Sequence, residues 1–218
     1  MEIRVLRRVL QKNDDAATEN RLWFDERHVT CINLLGGAGS GKTAILEAVL
    51  PIFRGELRAA VLEGDLATTR DAERIARLDV PVIQLLTDGG CHLTATHVQR
   101  ALDELPAGID LLIIENVGNP ICPANFDLGE HLRISALSVS EGDDKPSKYP
   151  LLFRDAALTL ITKCDLLPFV PFDMAQARRD LLRVNPAMRI LETSARSGKG
   201  VDELATWIMK HALSLGAL

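Results

Sequence analysis

The sequence contains no apolar run long enough to span a membrane. Its apolar runs, such as residues 111–114, are far shorter than the ~20 residues that a membrane-spanning helix needs. The first residues, Met-Glu-Ile-Arg, also lack the apolar centre of a signal peptide. These absences predict a cytoplasmic protein without a membrane partner.

The sequence has no excess of positive charge and few cysteines. The 25 Lys and Arg residues are outnumbered by 30 Asp and Glu residues, which gives a net charge of −5. Nucleic-acid binding normally needs a concentration of basic residues, so we expect no nucleic-acid partner. The four cysteines are too few for a disulfide framework in a cytoplasmic chain of this length, which leaves catalysis, metal binding or burial.

Apolar segments alternate with amphipathic segments from residue 29 onward. This alternation is typical of an α/β fold in which helices flank a mostly parallel sheet of about seven strands. We predict one such domain over residues 29–218, preceded by a helical segment over residues 1–28 that packs on it. The predicted strands are 29–35, 58–63, 80–86, 109–115, 132–139, 157–162 and 188–193, and the predicted helices are 42–50, 68–78, 92–105, 173–183 and 201–213.

Residues 36–43 read G-G-A-G-S-G-K-T and match the phosphate-binding pattern G-x-x-x-x-G-K-T. The octapeptide lies between a predicted strand and a predicted helix, which is the context in which the pattern forms a P-loop. Its glycines let backbone N–H groups approach phosphate oxygens, and the start of the helix favours negative charge. We predict that Lys42 contacts the β- and γ-phosphates and that the Thr43 hydroxyl binds Mg²⁺. The other predicted cradle residues are Gly36, Gly37, Gly39, Ser40 and Gly41.

Two short elements near the carboxyl end favour guanine as the base. Residues 162–165 read T-K-C-D and resemble the N/T-K-x-D element of GTPases, with Lys163 and Asp165 in the matching positions. The Asp165 carboxylate can accept hydrogen bonds from both guanine N1–H and the exocyclic amine, whereas adenine offers no such pair. Ser194, Ala195 and Arg196 resemble the S-A-K element that contacts the guanine oxygen. GTP is therefore the predicted nucleotide.

The loops that follow the second and fourth predicted strands contain the candidate catalytic residues. Open α/β sheets bind their ligands at the carboxyl ends of the strands. Asp65 is a candidate for holding the Mg²⁺ shell or the attacking water, and Glu115 for the supporting acidic role near Mg²⁺. Gly118 can donate its N–H to the γ-phosphate, and Lys42 completes the predicted catalytic set. We expect Asp71 to cap the helix that follows the second strand.

Two cysteines and a histidine follow strands on the edge where nucleotide should bind. Cys91, His92 and Cys122 form a ligand set suited to Ni²⁺ or Zn²⁺, with one position left open. The alternative is that these side chains are unrelated to one another. Cys31 and Cys164 are predicted to be buried.

Three longer runs identify the sequence as a relative of a known family. Residues 89–93 read G-G-C-H-L, residues 115–130 read E-N-V-G-N-P-I-C-P-A-N-F-D-L-G-E, and residues 141–150 read E-G-D-D-K-P-S-K-Y-P. They resemble the HypB family, the GTPases of nickel incorporation into hydrogenases. The resemblance implies a SIMIBI-class G domain, a nucleotide-dependent homodimer and slow regulatory hydrolysis of GTP. It places a nickel or zinc site at the dimer interface, on the positions matching Cys91, His92 and Cys122.

The resemblance also implies partners, and the sequence departs from some family members. The implied partners are a hydrogenase large-subunit precursor and an accessory protein that supplies nickel. The chain lacks an N-terminal C-x-x-C-G-C motif and a histidine-rich tract, so nickel is expected to pass through the G-domain site. Residues 140–150 are predicted to form an irregular functional loop, in which Lys145 and Lys148 could reach the opposite subunit.

Other functions remain open at this point. One is a urease-type nickel GTPase or the related chaperone of cobalamin mutases. Another is a small-molecule kinase that uses the same P-loop with ATP. The last is a metal-binding protein whose nucleotide site no longer acts.

Overall fold

The computed structural model describes residues 11–65, 69–87 and 89–215. Within these residues, seven strands form one parallel sheet in the order β3-β2-β4-β1-β5-β6-β7. The predicted α/β fold with a parallel sheet is confirmed. The strands are β1 Thr30–Gly36, β2 Ala59–Asp65, β3 Val82–Leu86, β4 Leu111–Glu115, β5 Leu132–Ser138, β6 Leu158–Thr162 and β7 Arg189–Glu192.

Eight α-helices lie in the described residues, with short 3₁₀ turns at 50–53, 123–125 and 164–169. The predicted helix 92–105 was wrong at its start, because Thr94 caps the helix. The His97 N–H donates to Thr94 Oγ1 over 3.4 Å and the Thr94 N–H donates to His97 Nδ1 over 3.1 Å. The helices are α1 Gln11–Glu26, α2 Lys42–Val49, α3 Arg70–Ala76, α4 Ala95–Leu102, α5 Lys145–Lys148, α6 Pro150–Arg154, α7 Met174–Val184 and α8 Val201–Leu215.

The segment 140–150 is more regular than the sequence suggested. It contains α5 and the first residue of α6, so the prediction of an irregular loop was wrong. Pro146 and Pro150 lie in the first turns of these two helices, where the missing proline N–H costs no hydrogen bond. Lys148 forms an ion pair with Asp144 of the same chain.

Helices cover both faces of the sheet, and successive side chains of each strand pack against helices on opposite faces. On β1, Ile32 and Leu34 pack beneath α2, α3 and α8, whereas Cys31 and Leu35 point to the side of α1, α4, α6 and α7. All five residues of β4 are buried, which is typical of a strand covered on both faces. No helix in the described part of the chain has the length and apolar character needed to cross a bilayer.

Helix α1 is tied to the start of α4 and to the loop before β5 by two buried asparagines. Asn20 Nδ2 donates to the carbonyls of Ala95 and Leu128, at 2.8 and 2.9 Å. Asn13 accepts from the Ala95 N–H at 2.9 Å and donates to the Asp127 carbonyl at 2.8 Å. The predicted helical segment 1–28 extends into residues 1–10, which lie outside the described residues, and its separation from the rest of the domain stays a prediction.

Candidate functional site

The P-loop runs from the end of β1 into α2. Gly39 and Gly41 have φ angles of +74° and +92°, which residues with a Cβ rarely adopt. The Lys42 ammonium lies 3.4 Å from the carbonyl oxygens of Gly36 and Gly37, so its charge is held over the loop. Burial lowers the pKa of Lys42. The backbone N–H groups and this buried cation form a site suited to the phosphates of a nucleotide.

The loop after β6 contacts the P-loop directly. Thr162 Oγ1 donates to the Ser40 carbonyl over 2.5 Å, and Lys163 Nζ donates to the Gly39 carbonyl over 2.7 Å. Thr162 therefore braces the phosphate loop, although asparagine is commoner at this position in GTPases. The contact joins the loop predicted to bind the base to the loop predicted to bind phosphate.

Two buried carboxylates face each other beside the P-loop. Glu63 on β2 is the register partner of Glu115 on β4, and Thr43 Oγ1 donates to Glu115 Oε1 over 2.7 Å. The Oε2 atom of each glutamate is buried without a hydrogen-bond partner. Burial raises the pKa of Glu115 to about 7, and burial together with the charge of Glu115 raises that of Glu63 to about 8. Carboxylate and hydroxyl oxygens so arranged fit Mg²⁺.

These groups line a cleft of about 410 Å³. The cleft also contains Asp65, as predicted for a residue at the end of β2. Asp71 does not cap α3, because Thr69 precedes the helix; the Asp71 carboxylate instead accepts from Arg74 Nη1 at 2.8 Å and lines the cleft. The described lining residues are Ala38, Gly39, Gly41, Lys42, Thr43, Ala44, Glu63, Gly64, Asp65, Asp71, Arg74, Glu115, Asn116, Val117, Gly118 and Lys163.

Three polar side chains that line the cleft were not singled out from the sequence. They are Glu63, Arg74 and Asn116. The signal for Glu63 was available, since it precedes Asp65 by two residues and so points to the same face of β2. Arg74 carried no signal, because its position depends on ion pairs with Asp71 and with Glu47 on α2.

Gly118 brings the loop after β4 against the P-loop. A Cβ at this position would lie 2.9 Å from Ala38 Cα, so only glycine allows this approach. A movement of the P-loop, or a change in a phosphate bound to it, would therefore displace the backbone at Gly118.

The residues predicted to recognise the base are brought together at the same edge. Asp165 Oδ1 accepts from Ser194 Oγ at 2.6 Å, and Ser194 Oγ also accepts from the Ser197 N–H at 3.2 Å. Ala195 is half-buried and Arg196 is exposed in the same turn. The two loops therefore form one unit next to Lys163, as the sequence order of the elements suggested.

Cys91, His92 and Cys122 form a cluster on the other side of the cleft. One ligand atom from each lies within 4.8 Å of the others, and Cys91 Sγ lies 3.5 Å from His92 Nδ1. A hydrogen bond with the Cys122 side chain, and then burial, raise the pKa of the Cys91 thiol. Burial lowers the pKa of His92, which favours the neutral imidazole needed for metal binding. The cluster fits Ni²⁺ or Zn²⁺.

Local hydrogen bonds set the two loops that supply these ligands. Thr87 Oγ1 donates to the Gly90 carbonyl over 2.5 Å, which turns the chain before Cys91. Asn119 Oδ1 accepts from the N–H groups of Ile121 and Cys122, at 2.8 and 3.4 Å. The His92 ring stacks on Phe126 with 3.9 Å between centroids. Cys31 and Cys164 are buried, as predicted, and all four thiols are free.

Comparison with known proteins gives one consistent result. Residues 30–192 match the family model described as CobW/HypB/UreG, nucleotide-binding domain. The Hydrogenase maturation factor HypB of Azotobacter chroococcum is 45% identical over 93% of this chain and 67% of its own length. That of Escherichia coli K12 is 44% identical over 92% of this chain and 69% of its own length.

Solved structures agree with these relatives. The structure of HypB from Helicobacter pylori in complex with nickel has a TM-score of 0.89 and 35% identity, over 93% of this chain and 96% of its own. HypB from Archaeoglobus fulgidus has a TM-score of 0.88 and 35% identity, over 93% of this chain and 100% of its own. A LAO/AO transport system kinase, at 18% identity and a TM-score of 0.55 over 98% of this chain and 78% of its own, shares the fold alone.

Proposed function

This chain belongs to the HypB family of CobW/HypB/UreG nucleotide-binding proteins, and we propose that it is a GTP-hydrolysing metallochaperone for nickel. Its role would be to assist nickel insertion into [NiFe]-hydrogenase during maturation. One observation carries the proposal: Cys122 of the metal cluster lies four residues after Gly118, which is packed against the P-loop. The names of the curated relatives and the nickel complex of a structural neighbour support it.

Nucleotide binding is assigned to the cleft. The P-loop N–H groups and Lys42 would hold the phosphates, and Asp165 would accept the two guanine donors. Thr43, Glu115 and Glu63 would surround Mg²⁺, with Asp65 at the rim of the same site. Bound Mg²⁺ would neutralise charge that develops on the phosphate oxygens.

Hydrolysis is proposed to be slow and regulatory. Asp65 is the candidate for orienting the attacking water, and Gly118 for donating its N–H to the γ-phosphate. Arg74 is the guanidinium that lines the cleft, but it is held by Glu47 and Asp71 at 2.5 to 3.0 Å. Its charge is therefore already neutralised, and rapid hydrolysis would need a change in these ion pairs.

The metal cluster is the proposed site for the nickel cargo. Two thiolates and one imidazole leave a coordination position open, through which the ion can enter or leave. Two apolar side chains near the ligands are exposed: Leu86 at the end of β3, at 52%, and Ile121 directly before Cys122, at 53%. They support a partner surface around the cluster, which we assign to a nucleotide-dependent homodimer. The hydrogenase large-subunit precursor and a nickel-supplying accessory protein are the further partners proposed.

A reducing compartment is part of this proposal. Nickel exchange through Cys91 and Cys122 requires both thiols to remain reduced, and the cytoplasm keeps thiols in that form. We therefore place the protein there.

Binding of Mg²⁺ with nucleotide should release protons near neutral pH. With pKa values of about 7 for Glu115 and about 8 for Glu63, the pair holds between one and two protons at pH 7 and must lose them to bind the cation. The affinity for Mg²⁺ should therefore rise between pH 6 and pH 9. Calorimetry at pH 7 in two buffers of different ionisation enthalpy measures the release, which should disappear at pH 9. Equal heats in both buffers at pH 7 would contradict the assignment.

Nickel affinity should depend on the bound nucleotide. We expect dissociation constants measured by competition with a chelating dye to differ by about 5- to 150-fold between GDP and a non-hydrolysable GTP analogue, both with Mg²⁺. Since loss of an outer-sphere partner alone costs 10–100-fold, Cys122→Ala should weaken nickel binding by at least about 100-fold. Cys31→Ala, at a buried free thiol near the amino end of β1 rather than at the carboxyl edge of the sheet, is the matched control and should leave both values unchanged. Identical affinities with both nucleotides would rule out a coupled switch.

A further inference from the structure

A buried asparagine connects the nucleotide loop to the metal loop. Asn116 follows β4, is 1% exposed and lines the cleft. Its Oδ1 atom accepts from the Val117 N–H at 2.9 Å and from the Leu93 N–H at 3.3 Å. Val117 precedes Gly118, and Leu93 follows His92. One side-chain oxygen is therefore shared by the loop next to the P-loop and the loop that supplies two of the three metal ligands.

The orientation of the Asn116 amide is set by a chain of hydrogen bonds through the sheet. Asn116 Nδ2 donates to Asn33 Oδ1 over 3.3 Å, and Asn33 Nδ2 donates to Glu130 Oε1 over 3.1 Å. The carboxylate of Glu130 also accepts from Arg133 Nε at 2.6 Å. Because the two Glu130 oxygens already accept from Arg133 Nε and, at 2.7 Å, from the Leu128 N–H, both amides must donate toward Glu130. Rotation of the Asn116 amide would place its NH₂ group against two N–H donors.

The same chain reaches the segment that carries the third ligand. Arg133 Nη1 donates to the Ala124 carbonyl over 3.1 Å, and Arg133 Nη2 donates to the Phe126 carbonyl over 2.9 Å. Ala124 lies two residues after Cys122, and Phe126 stacks on the His92 ring. Both loops of the metal cluster are thus attached to one buried polar network that starts beside the nucleotide cleft.

Leu93 connects this network to the end of β2 by packing. Its side chain is fully buried and packs against Gly64, where a Cβ would lie 2.8 Å from Leu93 Cδ1. Gly64 lies between Glu63 and Asp65, so Leu93 contacts the strand end that carries both acidic residues. His92 is the residue directly before Leu93 and Cys91 precedes His92, so a displacement of Leu93 relative to this strand end would act on both ligands through the backbone.

We propose that Asn116 is a positioning residue that couples the state of the Gly118 loop to the geometry of Cys91 and His92. Cys122 follows Gly118 along the chain, but the other two ligands lie on a different loop and need a separate connection. When Val117 moves with Gly118, the hydrogen bonds from the Val117 and Leu93 N–H groups to Asn116 Oδ1 change in length. The positions of all three ligands then change together. The inference rests on the proposed nucleotide-dependent nickel site and adds the residue that joins its two loops.

The test compares nickel affinity with GDP and with a non-hydrolysable GTP analogue in three full-length variants. Asn116→Leu is nearly isosteric and removes both the acceptor and the donor. Asn20→Leu is the matched control, because Asn20 is also a fully buried asparagine and bonds to Ala95 and Leu128, which follow the two ligand loops along the chain, but to no residue of the Val117–Gly118 loop. Asn116→Asp retains acceptor oxygens for both N–H groups and tests rescue. Thermal melting and nucleotide binding are measured for each variant.

The parent is expected to show an affinity ratio of about 5- to 150-fold between the two nucleotides. Asn116→Leu should reduce this ratio to within about twofold of unity while nickel and nucleotide each still bind. Asn20→Leu should keep the parental ratio even if it is equally destabilised, and Asn116→Asp should restore at least part of it. If Asn116→Leu does not fold, Asn116→Ser replaces it, since its shorter side chain cannot reach the Leu93 N–H.

Each outcome decides the inference. A parental ratio in Asn116→Leu, or in Asn116→Ser where that variant replaces it, overturns it, as does equal loss of the ratio in Asn20→Leu or its complete loss in Asn116→Asp. A ratio of unity in the parent itself overturns the proposed coupling of nickel to nucleotide, and the inference with it. The absorbance of the nickel–thiolate complex provides a second readout, because its nucleotide-dependent change should vanish in Asn116→Leu alone.

Discussion

Asp165→Asn is expected to lower GTP affinity by about 10²- to 10³-fold and to shift base preference toward xanthosine triphosphate. The carboxylate would accept hydrogen bonds from guanine N1–H and from the exocyclic amine, and each bond to a charged acceptor is worth ~1.5–3 kcal/mol. An asparagine amide presents a donor toward one of these guanine donors. Xanthine carries a carbonyl in place of the amine and can accept from that amide. Competition binding with GTP, ATP and xanthosine triphosphate measures the three affinities.

A matched aspartate controls for the lost charge. Asp173 caps α7 by accepting from the Gln176 N–H at 2.9 Å, and asparagine caps helices equally well. Asp173→Asn should therefore retain parental GTP affinity and base preference. Tighter binding of ATP than GTP by the parent would favour a small-molecule kinase. Unchanged GTP affinity in Asp165→Asn would remove Asp165 from base recognition.

Glu115→Gln should separate activity from stability, because the two are expected to change in opposite directions. Mg²⁺-dependent GTP hydrolysis should fall by about 10²- to 10³-fold, since the variant loses the anionic oxygen beside Thr43 and weakens the hold on the cation. The free energy of unfolding at pH 8 should instead rise by about 1–3 kcal/mol. Hydrolysis is measured by phosphate release over a Mg²⁺ titration, and stability by urea denaturation.

The sign of the stability change follows from the pKa of Glu115. The value of about 7 in the folded chain exceeds the ordinary value of about 4.5, so the folded state binds more protons than the unfolded state between these values. The carboxyl therefore costs increasing stability as the pH rises through this window, and a neutral glutamine avoids the cost. At pH 4 the variant and parent should have similar stabilities.

Glu203→Gln is the control for a lost surface charge. Glu203 forms an exposed ion pair with Arg189 at 2.6 Å, and such pairs contribute little. Its substitution should change neither hydrolysis nor the pH dependence of unfolding. If Glu115→Gln instead lowers the free energy of unfolding equally at pH 4 and pH 8, the raised pKa of Glu115 does not contribute to the pH dependence of stability. Parental hydrolysis in that variant would remove Glu115 from the Mg²⁺ site.

The sequence by itself determined the features that depend on neighbouring residues. A run of β-forming apolar residues followed by G-x-x-x-x-G-K-T and an amphipathic segment predicts a strand, a phosphate loop and a helix, because backbone preference and phosphate binding are local. The sequence signal for the start of α4 was also local, since a threonine followed three residues later by a histidine can cap a helix. The helix was nevertheless predicted three residues too early, and Cys91 and His92 consequently lie in a loop that presents them to Cys122.

Only the tertiary structure decided which distant residues meet. Cys122 comes within 4.8 Å of Cys91 and His92 because β3 and β4 are parallel and end at the same edge of the sheet. Only β2 lies between them, so the loops that follow β3 and β4 can meet. Glu63 and Glu115 face each other because β2 and β4 pair in one register, and a shift by one residue would point one of them to the opposite face. In the connection from Asn116 through Asn33 to Glu130, Asn33 and Glu130 are 97 positions apart in the sequence. The physical basis of the connection is burial, because a buried polar group is stable only when the packed sheet brings a hydrogen-bond partner within reach.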